Sequence, residues 1–442
     1  MSAAAVTVTD DATRPGYKTD VEALVFDFGS ESFRVGYARD ELPRVNVPSW
    51  VGVSRDGVPD TGPLERGAGR ANRITGAASS AAKYYVDVTT LCVPRPDTEV
   101  YSCMKDGLIE NWDLFEQILD YCYSKCLLMN SDLHPVLFSE SPLNTRSKRE
   151  ALIELMFEKY NVPAIYFCKN VVLAAYSSGR SSAIVLDSGA THTTAVAIHN
   201  GYVLPNTLVS TPFGGDFITK QCSQFLANSN IQIIPYYMIR SKQRVQDKEQ
   251  PIWTCKNVLP KVSYSWHNYM CRSVVQDFQQ SVLKVLEIPN DERITNFPQP
   301  NYEFPNGYNQ TFGNERFKIP ELLFNPHQKM GGATVSIGQI IISSLGKCDK
   351  DLRPYLCNNI VVTGGNSLIQ GFPERLNYDV SVLAPANTKL KVIAPSSSTK
   401  RRFAAWHGGS ILGSVDVFHD KWISRQEYNI QGRSLVDKLR YL

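Results

Sequence analysis

Two short turns of the same type hold the residues of this chain that are best suited to bind phosphate. The first turn, DFGS at 27–30, follows the apolar run 23–26, and the second, DSGA at 187–190, follows the apolar run 183–186. Each pattern predicts a β-strand that ends on a carboxylate and turns through glycine, because glycine lets backbone N–H groups approach a ligand closely. The pair therefore predicts a clamp for the β- and γ-phosphates of a nucleotide.

The acidic residues of the two turns also predict a divalent cation. Asp27 and Asp187 would face the phosphates, and these like charges are compatible only if a cation with its water shell lies between them. We therefore expect ATP with Mg²⁺ or Ca²⁺ at this site. Hydroxyl groups at Ser30 and Thr191 would add hydrogen-bond donors, and Arg34 would neutralise phosphate charge. A single strand ending of this type is more often structural, so the prediction depends on the pair.

A third glycine turn, TGGN at 363–366, follows the apolar run 360–362. It predicts a strand followed by a helix at 368–376, with Gly364 and Gly365 at the mouth of that helix. A flat adenosine would lie against this bare backbone at the helix N-terminus. The alternative is an ordinary turn between a strand and a helix, without a ligand.

Two residues are candidates for handling a water molecule that attacks the terminal phosphate. His192 lies beside a hydroxyl in the second turn and would pass a proton, although a histidine on a sheet is more often structural. Asn170 would orient the water, or else cap the helix that follows it. Neither a pair of carboxylates nor a Ser-His-Asp arrangement for hydrolysis is recognisable in the sequence.

The composition is that of an ordinary globular protein with more than one lobe. The chain has 442 residues, of which 43% are hydrophobic and 20% are charged. This length exceeds the size at which a single core keeps growing, so we expect at least two lobes. Lysine and arginine outnumber the acidic residues by 46 − 43 = 3, which is too small a difference to indicate sequence-specific DNA binding by the whole chain.

The cysteines and the chain start indicate a reducing compartment, either cytosol or nucleus. The ten cysteines form no C-x-x-C pair and no cluster with histidine at zinc-ligand spacing. Cys122 and Cys126 lie one helical turn apart beside leucines, so we expect both to pack in the core. Residues 1–20 are small and polar, which predicts a disordered tail rather than a leader. No run approaches the roughly 18 apolar residues of a membrane helix, so no membrane association is expected.

The order of the predicted elements indicates a duplicated domain. The two hairpins begin at residues 27 and 187, and each opens a series of strands and helices. We expect strands at 23–28, 33–38, 43–53, 134–138, 165–168, 183–187, 193–199, 202–204 and 360–362, and helices at 112–126, 145–160, 171–176, 265–286, 338–345, 368–376, 410–418 and 422–428. The Gly-, Ala- and Ser-rich segment 55–82 is expected to be a mobile loop and 240–250 a solvated loop.

Six ordered motifs resemble those of the actin superfamily. They are LVFDFGS (24–30), VLDSGATHTT (185–194), FGNERFKIPELLF (312–324), VVTGGNSLIQGFPERL (361–376), WHGGSILGS (406–414) and WISRQEY (422–428). The resemblance covers the chain from about residue 21. It implies an α/β, actin-like ATPase fold in which two duplicated lobes, divided into four subdomains, surround a central nucleotide cleft.

The resemblance also implies domain boundaries and binding residues. The first lobe would comprise 21–177, completed by 403–442, and the second would comprise 178–402, with an insertion-bearing subdomain at about 214–303. The implied nucleotide-binding residues are Asp27, Gly29, Ser30, Arg34, Asp187, Ser188, Gly189, Thr191, Gly215, Gly364, Gly365, Asn366 and Arg402. Asp27 and Asp187 would hold the cation through water.

Four departures from actin predict binding without efficient hydrolysis. The second turn, at 189–191, is two residues shorter than in actin, which removes a carboxylate that would help to hold the cation's waters. Asn170 stands in place of a water-orienting glutamine and is one methylene shorter, which places the water badly for in-line attack. Arg34 and Arg402 replace lysines beside the phosphates and the adenine. We therefore expect no enzymatic activity of note.

Further segments resemble the nuclear actin-related proteins, the class that includes the actin-like subunit of BAF-type chromatin remodellers. They are 134–150, 265–271 and 302–309. The resemblance implies a nuclear, non-polymerising subunit of SWI/SNF-type and INO-type remodellers and of histone acetyltransferase complexes, which supports transcription regulation and DNA repair. It would pair with nuclear actin on the helicase/SANT-associated helix of the motor and reach chromatin through the complex. An active ATPase or phosphotransferase, and a cytoplasmic filament-associated protein, remain alternatives.

Overall fold

The computed structural model describes residues 21–54, 82–289, 298–326, 334–385 and 388–439. The tail expected at 1–20 lies outside these residues. So does the loop expected at 55–82, except for Ala82, which packs against the core of the first lobe.

The described residues form a chain of short strands and helices. In chain order the strands are β1 (Leu24–Phe28), β2 (Ser32–Tyr37), β3 (Val45–Pro48), β4 (Trp50–Ser54), β5 (Lys83–Tyr85), β6 (Thr98–Ser102), β7 (Met104–Lys105), β8 (Leu108–Ile109), β9 (Val136–Glu140), β10 (Ala164–Lys169), β11 (Ala183–Ser188), β12 (Thr193–His199), β13 (Tyr202–Val203), β14 (Val209–Thr211), β15 (Ile239–Gln243), β16 (Ile252–Cys255), β17 (Asn301–Glu303), β18 (Asn309–Thr311), β19 (Ile360–Thr363), β20 (Val392–Ile393) and β21 (Ile423–Ser424). The helices are α1 (Val88–Leu91), α2 (Trp112–Tyr121), α3 (Arg146–Glu154), α4 (Asn170–Ser177), α5 (Gly215–Asn228), α6 (Tyr264–Val282), α7 (Glu315–Phe324), α8 (Ile337–Gly346), α9 (Arg353–Cys357), α10 (Phe372–Leu383), α11 (Ser398–Arg402), α12 (Ala404–Gly413) and α13 (Arg425–Gln431).

Two mixed sheets of the same construction confirm the predicted α/β fold and its duplication. The first has the order β21-β10-β9-β1-β2-β3, and the second has the order β20-β19-β11-β12-β13 with β14 also paired to β12. In each sheet a hairpin (β1 with β2, or β11 with β12) lies beside a parallel strand (β9 or β19). The carboxyl ends of β1 and β11, where the glycine turns begin, therefore occupy equivalent places in the two lobes.

The strands form because apolar residues on both faces of each sheet are buried under helices. Phe26 of β1 and Leu186 of β11 are fully buried in two separate cores, one in each lobe. A third core contains residues of both sheets together with α4 and α12. The two lobes are thus joined at one side through these two helices. The lobe boundaries predicted at 177/178 and 402/403 remain predictions.

Several elements begin or end differently from the sequence expectation. The strand expected at 134–138 is β9, and the helix expected at 410–418 is α12, which ends at Gly413. The closing segment 422–428 divides into the edge strand β21 and the helix α13. The apolar run that suggested 410–418 continues past α12 into a 3-10 turn, because periodicity alone does not mark where a helix ends.

The helix expected at 265–286 is α6, which ends at Val282, so Leu286 lies beyond it. Ser263 caps this helix by accepting a hydrogen bond from the Trp266 amide at 3.2 Å. The solvated loop expected at 240–250 begins instead as β15, whose side chains are mostly exposed in a two-stranded hairpin with β16.

All ten cysteines lie among the described residues and none forms a disulfide. Cys122 is buried as expected, but Cys126 is exposed, so the packing role predicted for it is wrong. Among the described residues, no helix has the length and apolar character needed to cross a membrane.

Candidate functional site

The two glycine turns have the same backbone geometry and touch each other. The Gly29 N–H donates to the Ser32 carbonyl at 3.0 Å, and the Gly189 N–H donates to the His192 carbonyl at 3.0 Å. The hydroxyls of Ser30 and Thr191 lie 3.3 Å apart across the gap between the lobes. The fold therefore brings together two turns that are 160 residues apart in the sequence.

Arg34 neutralises a carboxylate as well as facing the site. Its Nη1 donates to Asp27 Oδ2 at 2.7 Å, and its Nη2 donates to Ser32 Oγ at 3.1 Å. Asp27 is only 5% exposed, so this ion pair compensates much of the cost of burying its charge. A phosphate at the first turn would meet a guanidinium that is already held in place.

The negative charge of Asp187 is less well compensated by its surroundings than that of Asp27. Burial raises its pKa, and the nearby Asp27 adds to that rise, whereas His192, Arg34 and a hydrogen bond from Asn170 oppose it. The rise persists despite these three opposing groups. A cation placed between the two turns would favour the ionised form of this carboxyl.

Asn170 was expected either to orient a water or to cap the helix that follows, and its contacts match neither role directly. Its Nδ2 donates to Asp187 Oδ2 at 3.0 Å, so the amide is tied to the carboxylate. It is the first residue of α4 and Lys169 is the N-cap, which makes no side-chain capping bond, so the capping prediction is wrong. Its Oδ1 is buried without a partner in the described residues, and this atom can accept a hydrogen bond from a water or a ligand.

His192 is held at the wall of the site by its neighbours. Its Nδ1 lies 2.9 Å from Thr191 Oγ1. Its ring packs on Gly107, where a Cβ would lie 2.7 Å from the His192 Cε1 atom. Gly107 has φ +77° in the turn between β7 and β8, and the sequence analysis missed it. The dipeptide Asp106-Gly107 is a hairpin signal that could have drawn attention to this turn.

Ser188 and Asn366 shape the second turn from behind. Asn366 Nδ2 donates to Ser188 Oγ at 3.0 Å and to the Gly189 carbonyl at 2.8 Å. Ser188 is fully buried, and its hydroxyl lies 2.8 Å from Thr193 Oγ1. Ser188 does not line the cavity, and its contact with the nucleotide stays a prediction. Its side chain is used to fix the turn.

The turn at Gly364 and Gly365 differs from the prediction in one respect. Gly364 has φ +92°, and a Cβ there would lie 2.2 Å from the Ser188 carbonyl oxygen, so only glycine fits. Gly365 has open space where its Cβ would be, which leaves bare backbone at the cavity. The α-helix begins at Phe372 rather than at Leu368, and Gly365–Leu368 is a 3-10 turn. The predicted helix N-terminus under the adenosine is therefore wrong.

The N-terminus of α5 is occupied by the second turn. The Gly215 N–H donates to the Gly189 carbonyl at 3.0 Å, and the Asp216 N–H donates to the Ala190 carbonyl at 2.8 Å. A Cβ on Gly215 would lie 3.2 Å from Asn366 Oδ1. The helix therefore holds the second turn in position instead of offering these N–H groups to a ligand.

Arg402 lies at the first-lobe side of the site, close to Arg34. The two guanidinium groups flank the Phe403 ring, with carbon Cζ at 5.6 Å and 5.7 Å from its centroid. Burial lowers the pKa of Arg402 and the charge of Arg34 lowers it further, while Glu31 acts in the opposite direction. Two cations held this close favour an anionic ligand.

One cavity of about 790 Å³ unites these groups. This volume lies within the range of about 300–1,000 Å³ that is usual for small-molecule sites. Apart from Ser188, every predicted site residue lines it, including Asn170 and His192. The sequence analysis missed several other residues of the wall: Glu31, Gly107, Gln276, Gln279, Lys284, Arg316 and Gln370. Most of these lie outside glycine turns, and only the fold brings them to the cavity.

The cavity fits a nucleotide with a hydrated cation. Gly364 and Gly365 supply close backbone, the two arginines supply positive charge, and Asp27 and Asp187 face the same space. No group of three or more possible metal-ligating side chains occurs among the described residues. Two carboxylates suit a cation that keeps most of its waters, as Mg²⁺ does.

Comparison with known protein families matches residues 18–440 to the family described as Actin. This chain belongs to the actin family. It is 33% identical over 442 residues to the protein named Actin-related protein 4 of Arabidopsis thaliana, a match that covers 95% of this chain and 98% of the relative. It is 35% identical over 439 residues to the protein of the same name in Oryza sativa subsp. japonica, with the same coverage.

A fission yeast relative carries a name that mentions complexes. The chain is 31% identical over 432 residues to "SWI/SNF and RSC complexes subunit arp42" of Schizosaccharomyces pombe, which covers 93% of this chain and 97% of the relative. These matches confirm the resemblance to the actin superfamily that the six motifs indicated. They also confirm the resemblance to nuclear actin-related proteins that the segments 134–150, 265–271 and 302–309 indicated. The alignment runs along nearly the whole chain, so it concerns both lobes and the cavity between them.

Proposed function

We propose that this protein is a nuclear actin-related subunit of chromatin-remodelling complexes that binds ATP with Mg²⁺ or Ca²⁺ and uses it to stabilise its structure. The whole-length similarity to a protein named as a subunit of SWI/SNF and RSC complexes is the observation that carries the proposal. Membership of INO-type remodellers and of histone acetyltransferase complexes, with roles in transcription and DNA repair, is part of the same proposal. Pairing with nuclear actin on the helicase/SANT-associated helix of the motor completes it.

The bound nucleotide would join the two lobes. Its phosphates would lie between the turns at Gly29 and Gly189, with Arg34 countering their charge, while Asp27 and Asp187 would hold the cation through water. The cation would neutralise phosphate charge. A ligand at 100 times its Kd adds about 2.7 kcal/mol of stability to the folded state. The partner surface formed by the lobes would be fixed by the same contacts.

The geometry around Asp187 supports binding without efficient hydrolysis. In-line attack on a phosphate requires a water molecule that is both oriented and deprotonated. The Asn170 amide nitrogen donates to Asp187, and Oδ1, which has no partner among the described residues, belongs to a neutral group that is not a base. Thr191 contacts His192 Nδ1. The Asn170 amide and His192 Nδ1 therefore both have partners within the protein.

An active ATPase is the second candidate, and the position of His192 in the cavity wall favours it. Steady-state phosphate release by the purified protein, alone and with its partner complex, separates the two. We expect the rate of phosphate release to stay near the background rate of a nucleotide-free control. Turnover faster than about 1 s⁻¹, the lower end of ordinary enzymes, would establish the ATPase instead.

Affinity purification of the tagged full-length protein from its own cells tests the proposal directly. We expect subunits of remodelling and acetyltransferase complexes to be recovered together with actin. Extraction of the purified protein should yield bound ATP. Recovery of branched-filament or microtubule-motor subunits, without remodelling subunits, would contradict the proposal and support the cytoplasmic alternative.

A further inference from the structure

Helix α6 packs on both lobes at once. Near its start, Trp266 and Met270 are buried against Leu91 and Val100 of the first lobe. The rest of the helix is buried in the core of the second lobe through Val274, Val275, Phe278 and Val282. This small core at the start of α6 is separate from the core at α4 and α12. The lobes are therefore joined in two places.

Hydrogen bonds reinforce the contact between the start of α6 and the first lobe. Each bond joins a side chain at this end of the helix to a backbone group of the first lobe, and two of the bonds reach the strand β6. The bonds are Trp266 Nε1 to the Leu91 carbonyl at 2.7 Å, the Val100 N–H to Ser265 Oγ at 2.9 Å, and Ser263 Oγ to the Thr98 carbonyl at 2.6 Å. Because Trp266 is fully buried, separating the lobes here would expose its ring and break its hydrogen bond.

Farther along α6, Arg272 links this contact to both glycine turns. Its Nη2 donates to Glu31 at 2.9 Å and to Asp216 at 2.7 Å, and Gln276 donates to Glu31 at 3.0 Å. Glu31 belongs to the first turn. Asp216 belongs to the start of α5, where its N–H holds the Ala190 carbonyl of the second turn. One guanidinium therefore links the first turn to the helix start that holds the second turn.

The surroundings of Arg272 keep it charged. Burial lowers its pKa, but the carboxylates of Glu31 and Asp216 more than offset this effect, so its pKa is raised. The guanidinium also lies 5.5 Å from the centroid of the Trp50 ring in the first lobe. Removing it would leave two carboxylates near each other without their shared partner.

We propose that Trp266 and Arg272 form a lobe bridge that controls how fast the nucleotide enters and leaves the cavity. This inference rests on the proposed binding of ATP. Because the bridge is built only from protein groups, it closes the lobes whether or not the nucleotide is bound. Both association and release must then wait for the bridge to open.

Three variants test the lobe bridge. Trp266→Phe keeps an aromatic ring in the core but removes the Nε1 donor, and Arg272→Ala removes the link to Glu31 and Asp216. Arg272→Lys keeps the charge but not the fork-shaped geometry, so it should restore part of the effect. The control is Arg433→Ala, which removes an exposed arginine paired with Glu154 away from the cavity.

Stopped-flow binding and release of a fluorescent N-methylanthraniloyl ATP with Mg²⁺ provide the main measurement. We expect association and release to accelerate together by about tenfold in Trp266→Phe and Arg272→Ala. A tenfold change corresponds to about 1.4 kcal/mol in the free energy of lobe closure. Arg272→Lys should lie between these variants and the wild type, and Arg433→Ala should equal the wild type. Kd should change much less than the rates. Unchanged rates, or faster release with no change in association, would overturn the bridge.

Hydrogen exchange on the nucleotide-free protein gives a second readout. The Val100 amide, which donates across to Ser265, should lose protection in both bridge variants, while the amides of β1 and β11 keep theirs. Retained protection at Val100 would contradict the bridge. If the wild type binds no ATP analogue, the proposed function fails, and this experiment still decides whether the bridge exists.

Discussion

Asp187 is the less well compensated of the two carboxylates at the glycine turns. Its carboxyl is partly buried near another carboxylate, and this burial raises its pKa even though Asn170 donates to it. Asp27, by contrast, has a direct ion pair with Arg34 at 2.7 Å. A residue that is poorly compensated in the protein alone is typical of a site completed by a ligand.

The substitution Asp187→Asn should stabilise the free protein at neutral pH and weaken the binding of Mg-ATP by at least about tenfold. The folded protein holds the Asp187 proton more tightly than the unfolded chain. Its stability contribution is therefore complete below the carboxyl pKa of the unfolded chain, about 4, and is lost as the pH rises through the higher folded pKa. The Asp187→Asn variant should not show this loss of stability as the pH rises. Thermal melts across a pH series, with and without Mg-ATP, measure both effects.

The control for this substitution is Asp351→Asn, which neutralises an exposed carboxylate outside the cavity. It should leave the shift in melting temperature caused by Mg-ATP unchanged. A loss of stability in Asp187→Asn at neutral pH without ligand would contradict this account of the buried carboxylate.

At the scale of elements, the backbones of helices α4 and α12 are in close contact. A Cβ at Gly408 would lie 1.8 Å from the Leu173 carbonyl oxygen, and one at Gly409 would lie 2.6 Å from Val25 Cγ1. The backbone of α12 therefore lies directly on α4, and both helices pack between the two sheets. Trp406 on the same helix donates to the Val25 carbonyl at 3.1 Å. The glycine pair in the WHGG motif is required by this contact.

Replacing Gly408 by alanine should destabilise the protein by about 3 kcal/mol or more. The new Cβ would clash with the Leu173 backbone, which cannot change rotamer as a side chain can. The matched control is Gly346→Ala, at the end of α8, where a Cβ meets nothing within 4 Å. Alanine in that helix should be neutral or stabilising by up to about 1 kcal/mol. Urea unfolding of the two variants measures both values, and equal stabilities would disprove the close-packing argument.

At the scale of the whole molecule, the cavity borders two joints between the lobes. Ala405 of α12 lines it on one side, and Glu31 and Gln276, which meet at the lobe bridge, line it on the other. The twin turns at 27–30 and 187–190, one from each of the two equivalent sheets, thus line the same cavity. Both joints are made of contacts within this chain.

The purified protein should remain in the supernatant when it is centrifuged with Mg-ATP under conditions in which actin forms filaments. The sequence reason is the segment 55–82, whose Gly, Ala and Ser content offers no apolar surface to grip a neighbour. Actin run in parallel is the positive control. Filaments of the pure protein in the pellet, visible by electron microscopy, would contradict this prediction.

The sequence alone determined the strands and the turns of the candidate site. Apolar runs that end in Asp-x-Gly are local signals, so β1, β11 and the glycines at 29 and 189 could be located without a structure. Helix boundaries were less certain, as the shift from 410–418 to α12 shows, because capping and packing decide where a periodic pattern stops.

Only the tertiary structure decided which side chains are free to act on a ligand. Ser188 lies in a motif that suggests ligand contact, yet its hydroxyl is bound internally, and the Asn170 amide is bound to Asp187. The bridge from Arg272 to Glu31 joins residues 241 positions apart, and no local pattern encodes it. Sequence fixes the local backbone through short-range sterics and hydrogen bonding, whereas the partners of a polar side chain depend on which distant elements the core brings beside it.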